Sequence, residues 1–371
     1  MYVKNLTLVD YRNYEHLKLD MINGFNIFYG RNGQGKTNIL EAVNLCAFGR
    51  SHRGGKDTDL ITIGKDEMSL SLSLAREPSD VGFGIRLCRT GAKVICVNDK
   101  PIRKLADLVG IINIVIFSPE DMSLVKEGPG QRRKFLDSLL SQIRPRYFHD
   151  LQQYVKIIGQ RNSLLKEIRT DPSLAATLDI WSEPLAEHGS RISFERAAFL
   201  RVIEKEAAEI HGKMSQQTEE LKLEYLPSLK YGAESTPEEI RAVFLDMLKK
   251  SQEREIAIQT TICGPQREDF AIRLNGSDIR SFGSQGQQKT AVLALKLSEI
   301  AIVKEQTGGD PILLLDDVLS ELDGTRGEFV FQNTGRVQTL ITCTEKKDFR
   351  FGGGKALFFK VSDGTARAVK G

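Results

Sequence analysis

Eight consecutive residues, Gly30-Arg31-Asn32-Gly33-Gln34-Gly35-Lys36-Thr37, have the composition and spacing of a phosphate cradle, GxxxxGKT. Glycines let backbone N–H groups converge on phosphate oxygens that Cβ atoms would obstruct. Lys36 offers a compact cation to the β- and γ-phosphates, and the Thr37 hydroxyl is a ligand for Mg²⁺. An incidental glycine turn would lack the context found here. A five-residue apolar strand pattern, 25–29, leads into the loop, and an apolar helix pattern, 38–47, leaves it, its positive end aimed at the anion. ATP and Mg²⁺ are the cofactors this predicts.

A second set of residues completes such a site. Ile312-Leu313-Leu314-Leu315-Asp316-Asp317 reads as a buried strand ending in two carboxylates, the Walker B form. Asp316 is placed to hold the water shell of Mg²⁺, and Asp317 to orient the attacking water or accept its proton. Many ATPases of this plan carry glutamate where Asp317 stands. The shorter aspartate holds water less well, so slow hydrolysis is expected. Further upstream, Ser284-Gln285-Gly286-Gln287-Gln288 opens a helix pattern, 285–304. Ser284 and Gln287 have the spacing of a capping box, and helix chemistry alone explains them. The same exposed cap is an anion site, and both readings hold together. Its position 28 residues before the Walker B strand favours the functional one.

Periodicity supplies the elements that must hold these residues. Strand patterns cover 2–9, 17–19, 25–29, 69–75, 82–88 and 93–97, with Thr90-Gly91 as a hairpin turn, and 111–117 reads as a buried central strand. Helical periodicity then dominates over 132–143, 147–168, 174–214 and 237–251, interrupted by a strand at 221–226. Pro145, Pro172 and Pro237 stand where helices begin. Beyond Cys263-Gly264-Pro265 the α/β pattern returns, with strands at 270–274, 312–315, 337–343 and 356–361. The expectation is an α/β P-loop NTPase domain, residues 1–120 and 263–371, split by a mainly helical insert, 121–262.

Composition narrows the partners. The 371 residues carry a net charge of only +3, so a polyanion partner needs a local basic surface. Between 126 and 169 ten Lys or Arg face four Asp or Glu, whereas 195–224 holds seven acids and five bases. Arg132, Arg133, Lys134, Arg144 and Arg146 are therefore candidates for DNA contact, and Arg53, with Arg50 and Lys56, extends the surface. No zinc finger, helix-turn-helix or aromatic RNA-binding motif accompanies them, so backbone contact with little base readout is expected. The five cysteines form no Cys-x-x-Cys pair, which argues against a disulfide framework and a zinc site. No apolar run approaches the ~20 residues of a membrane helix, and the N-terminus leads into a strand pattern rather than a signal peptide. A cytoplasmic protein without a membrane partner is expected.

The motifs together resemble the ATP-binding-cassette (ABC-type) head of the SMC and RecF group of DNA-repair ATPases, most closely its RecF branch, over essentially the full chain. The residues that carry this are Tyr11-Arg12-Asn13-Tyr14, Gly33 to Asn38, Gly49-Arg50-Ser51-His52-Arg53, Phe117-Ser118-Pro119-Glu120-Asp121, Gly130-Gln131-Arg132-Arg133, the Ser284 loop, and Leu315-Asp316-Asp317 with Ser320 to Asp323. The resemblance implies a homodimer formed on ATP, with Ser284, Gly286 and Gln287 closing the partner's site while Lys36, Thr37, Asp316 and Asp317 act in cis. It also implies a nucleotide contact from Arg12 and a metal or water contact from Glu120, and makes Ser320 to Asp323 the loop crossing between subunits. Implied, too, are binding of double-stranded DNA and of single/double-strand junctions, weak DNA-dependent ATP hydrolysis, and work with recombination mediator proteins in repair and replication restart. Two positions depart from the pattern: Gln266 where histidine is expected, and His52 where an aromatic is more usual. A transporter ATPase subunit is disfavoured by Ser-Gln-Gly-Gln-Gln in place of Ser-Gly-Gly-Gln, and a small-molecule kinase leaves that loop unexplained.

Overall fold

The structure, a computed structural model, describes residues 1–318, 324–334, 337–346 and 354–369. It divides into two compact units, Met1–Asp121 with Leu293–Gly371, and Met122–Val292.

The first unit is built on a six-stranded sheet. Its order is Thr365–Val369, Ala356–Ser362, Phe25–Tyr29, Thr339–Cys343, Ile312–Asp316 and Ile114–Phe117. All but the first of these run parallel. Near-continuous apolar runs such as Leu313-Leu314-Leu315 and Leu340-Ile341 suit strands covered on both faces, and all five residues are buried. Over the sheet lies the helix Lys36–Phe48, whose Ile39, Leu40, Val43, Leu45 and Cys46 are all buried. A second, antiparallel sheet contains Tyr14–Asp20, Tyr2–Tyr11, Glu67–Ala75, Val81–Cys88 and Val94–Val97. Its alternating Leu70, Leu72 and Leu74 pack into the same core as Phe28, Ile39 and Leu314.

The second unit carries the long helices Pro129–Ile143, Pro145–Ile168, Leu178–Met214 and Pro237–Ile258. Thr236 caps the last of these in a reciprocal box with Glu239. A three-stranded sheet pairs Leu221–Leu226 with Asp269–Leu274, which pairs with Ser277–Asp278. Two arginines are fully internal. Arg161 reaches Glu255, Thr261 and Ser182, and Arg196 reaches Asp137, Glu268 and the Pro265 carbonyl.

Three expectations shift. The apolar run 111–117, expected as a central strand, becomes a strand only from Ile114 and lies at the edge of its sheet, where Ile312 to Leu315 offers its one ladder of four residues. The helix expected from 174 starts as a 3₁₀ turn, Pro172–Thr177, capped by Asp171, and turns α-helical at Leu178. Residues 263–292 group with the helices rather than with the sheet of the first unit, because Asp269–Leu274 takes its hydrogen bonds from Leu221–Leu226.

Candidate functional site

The phosphate loop leaves the end of Phe25–Tyr29 and closes on the first turn of Lys36–Phe48. Two glycines are required by geometry. A Cβ on Gly30 would lie 2.2 Å from the Val361 carbonyl oxygen, and Gly35, the helix N-cap, has φ +101° with Asn13 where its Cβ would go. The turn 11–14 braces the loop from below: Asn13 donates to the Gln34 carbonyl at 2.9 Å, and the Tyr14 hydroxyl to the Gly35 carbonyl at 3.0 Å. From the C-terminal hairpin the Asp363 N–H donates to the Gln34 side chain at 2.7 Å.

Lys36 donates to the carbonyls of Gly30 (2.6 Å) and Arg31 (2.9 Å), curling its ammonium over the hollow that the loop encloses. Burial pulls its pKa below the ordinary lysine range, while the charges of Asp317 and Asp316 work in the opposite sense. The Thr37 hydroxyl donates to Asp316 Oδ1 at 2.8 Å, joining residues 279 apart in the chain. Thr342, on the strand between the phosphate-loop strand and the Walker B strand, donates to the same oxygen at 2.7 Å. Its hydroxyl also accepts from the Asp317 N–H at 2.9 Å, holding Asp317 at φ +54°. A hydroxyl and a carboxylate side by side, both oxygen donors, suit a hard divalent cation such as Mg²⁺.

The other predicted residues are placed as follows. Arg12 is held by the buried Glu41, at 2.6 and 2.9 Å, so its guanidinium is already paired. Glu120 is exposed, on the short turn Pro119–Met122. His52 is largely enclosed and its pKa is lowered by burial, against the pull of Glu41, Asp316 and Glu120. In the second unit the Ser284 N–H donates to the Gln287 side chain (2.8 Å), and the Gln287 N–H to Ser284 Oγ (3.2 Å). The capping box is thus formed, and Ser284 and Gln285 remain exposed. Gln266 is engaged internally with Tyr154 and the Cys263 carbonyl. Ser320 to Asp323 lie outside the described residues.

The basic candidates divide. Arg132 is a correction: it is buried, forms a two-pronged pair with Asp269 (2.7 and 2.8 Å), and donates to the carbonyls of Leu124 and Glu127. With four of its five N–H groups so occupied and its side chain buried, Arg132 is a poor partner for a phosphate. Arg133 bonds the Glu268 carbonyl, and Arg144 pairs with Glu195 over the ring of Phe199. Lys134 and Arg146 are exposed, and Arg53 is half-exposed. Two residues that sequence reasoning passed over, Glu41 and Thr342, prove central. Glu41 stands four residues after Thr37, on the same helix face.

Among the described residues no helix is long and apolar enough to cross a membrane. Residues 2–362 match the family described as the RecF/RecN/SMC N-terminal domain. The chain is 44% identical to the DNA replication and repair protein RecF of Acetivibrio thermocellus over 94% of its length and 95% of that protein's. It is 43% identical to the RecF of Ruminiclostridium cellulolyticum over 98% of both. A solved structure of the recombination mediator protein RecF with ATP, in the RecFOR pathway, superposes with a TM-score of 0.93 at 37% identity, covering 100% of this chain and 98% of that one. An SMC head bound to the winged-helix domain of ScpA shares the fold at a TM-score of 0.58 and 16% identity, covering 100% and 97%. The ABC-type head, the ordered motifs and this likeness agree: the chain belongs to the RecF family of SMC-type ATPase heads.

Proposed function

We propose that the chain is an ATP-dependent DNA-binding protein of recombinational repair and replication restart. The observation that carries the reading is the Thr37–Asp316 contact at 2.8 Å, which assembles phosphate loop and Walker B strand into one site. The loop N–H groups and Lys36 bind the triphosphate, with Lys36 exchanging its loop carbonyls for phosphate oxygens. Thr37 and Asp316 would hold Mg²⁺, which supplies charge neutralisation on the β- and γ-phosphates. Asp317, fixed by Thr342, orients the water, and its short side chain makes hydrolysis slow.

The exposed Ser284 and Gln285, at the N-terminal end of the helix Gln285–Thr307, offer a hydroxyl and the positive end of that helix to the γ-phosphate held by a second copy. ATP then joins two subunits, and hydrolysis separates them. DNA lies through its phosphates against exposed bases of the second unit, chiefly Lys134 and Arg146, and Arg53 is a separate candidate on the first unit. The likeness to RecF proteins named for DNA replication and repair, and for recombination mediation in the RecFOR pathway, supports DNA as the ligand and other proteins of such a pathway as partners; duplex and junction DNA are the forms this reading assigns.

The test is the oligomeric state of the purified chain with ATP and Mg²⁺, with and without double-stranded DNA, for wild type, Lys36→Met and Ser284→Arg. Dimers should form with ATP in wild type alone. A wild type that stays monomeric with ATP, or a Ser284→Arg variant that dimerises normally, refutes the arrangement.

A further inference from the structure

An anion beside a phosphate site is at first sight misplaced. Glu41 lies one helical turn beyond Thr37, fully buried, and still carries a charge, because its neighbours supply the donors. One oxygen accepts from Arg12 at 2.6 Å and from the Ser51 hydroxyl, and the other accepts from Arg12 Nε at 2.9 Å. Arg53 stands 3.9 Å from the second oxygen. Burial opposes the ionised form, and the bonds from Arg12 and Ser51 more than offset it, leaving the pKa below the ordinary range.

The contacts made around this carboxylate tie three chain segments to the phosphate loop. Arg12, at φ +54°, also donates to the Asp59 carbonyl, and its neighbour Asn13 bonds Gln34 of the loop. Asn13 accepts from Asn38, which accepts from Arg53 at 3.1 Å. Asn38 directly follows Thr37. One carboxylate thus gathers two guanidiniums from segments 11–14 and 51–53, so the rim is net positive despite the acid inside it. A pairing needed only for packing could be met by apolar residues of similar volume. The two-pronged grip on Arg12 is instead the geometry that fixes a guanidinium plane.

We infer that Glu41 is a positioning residue for the nucleotide: it sets Arg12 and Arg53 as one cationic rim at the start of the phosphate-loop helix. The inference rests on the nucleotide site proposed above. It is tested on the full chain with Glu41→Gln, Arg12→Gln and the double variant, by titration with a fluorescent ATP analogue and by thermal melting. Each single variant should weaken nucleotide binding about tenfold. In the double variant no buried charge is left unpaired, so the melting temperature should return towards wild type while binding stays as weak as in the singles. Recovery of binding together with melting temperature would show a purely structural pair and overturn the inference, as would single variants that bind like wild type. Absence of saturable binding in wild type itself, with Lys36→Met no different, sinks the nucleotide reading instead.

Discussion

Thr342 offers the sharpest test of how the two carboxylates are held. Its side chain is fully buried, and its hydroxyl makes two bonds at once: it donates to Asp316 Oδ1 at 2.7 Å and accepts from the Asp317 N–H at 2.9 Å. Thr342→Val keeps the shape and removes both. Loss of a hydrogen bond to a charged acceptor costs about 1.5–3 kcal/mol, and the stranded Asp317 N–H adds about 1–3 kcal/mol. The first loss frees Asp316 to turn from Thr37. The second releases Asp317 from its left-handed conformation at φ +54°. At about 1.4 kcal/mol per tenfold, 1.5–3 kcal/mol of misplacement slows hydrolysis about ten- to a hundredfold, with ATP binding through Lys36 largely kept. Steady-state phosphate release and ATP titration measure the two separately, and melting should fall by several degrees. Thr342→Ser retains the hydroxyl and should stay within a few-fold of wild type. A folded Thr342→Val that hydrolyses ATP within twofold of wild type, or a Ser variant as slow as Val, refutes the reasoning.

The internal Arg132 and the exposed bases should separate cleanly. Arg132→Ala breaks its pair with Asp269 and should cost about 3 kcal/mol of stability, read by denaturant unfolding. Arg146→Ala should leave melting unchanged, and Arg146→Ala and Lys134→Ala should each flatten the slope of log affinity for duplex DNA against log salt by about one. A third prediction concerns the buried cluster of Lys296, Asp121 and Glu299, in which burial raises the Glu299 pKa to about 7. An acid whose folded pKa exceeds its unfolded value near 4.5 retains its proton in the folded state, so its contribution falls as pH rises from about 4.5 to 7. The slope is at most about 1.4 kcal/mol per pH unit, and Glu299→Gln should flatten it in melts between pH 5 and 8. An identical pH dependence in the variant would remove Glu299 as its source.

Local patterns made the strand–loop–helix at 25–48, the apolar strand ending at Asp316 and the capping box at Ser284 legible, because each is a short segment whose geometry is set within a few residues. The same holds for the helix starts at Pro145 and Pro237. What sequence order hides is pairing at a distance. Nothing local distinguishes Thr342 from any β-branched residue in a buried strand, and only the strand order brings it to Asp316. Charge counting misled for the same reason. Arg132 and Arg161 contribute to the basic run 126–169, yet Asp269 and Glu255, over 90 residues away, consume them. The spacing of Glu41 from Thr37 was visible, but an acid there reads as surface until its two arginines are seen.

The position of Phe25–Tyr29 in its sheet bears on how the molecule comes into being. This strand lies between Thr339–Cys343 and Ala356–Ser362, so the loop it feeds has neither wall until residues more than 300 places later have been synthesised. Gly30 meets Val361, and Gln34 meets Asp363, only then. On the ribosome the helical unit, residues 122–292, emerges as a self-contained body while the first 121 residues wait with one sheet unfinished. A chain that stops before Thr339 therefore keeps its entire GxxxxGKT motif and lacks both strands that flank the strand feeding it. Such a fragment exposes the unpaired edges of a parallel sheet, and edge-to-edge association with other chains is its expected hazard.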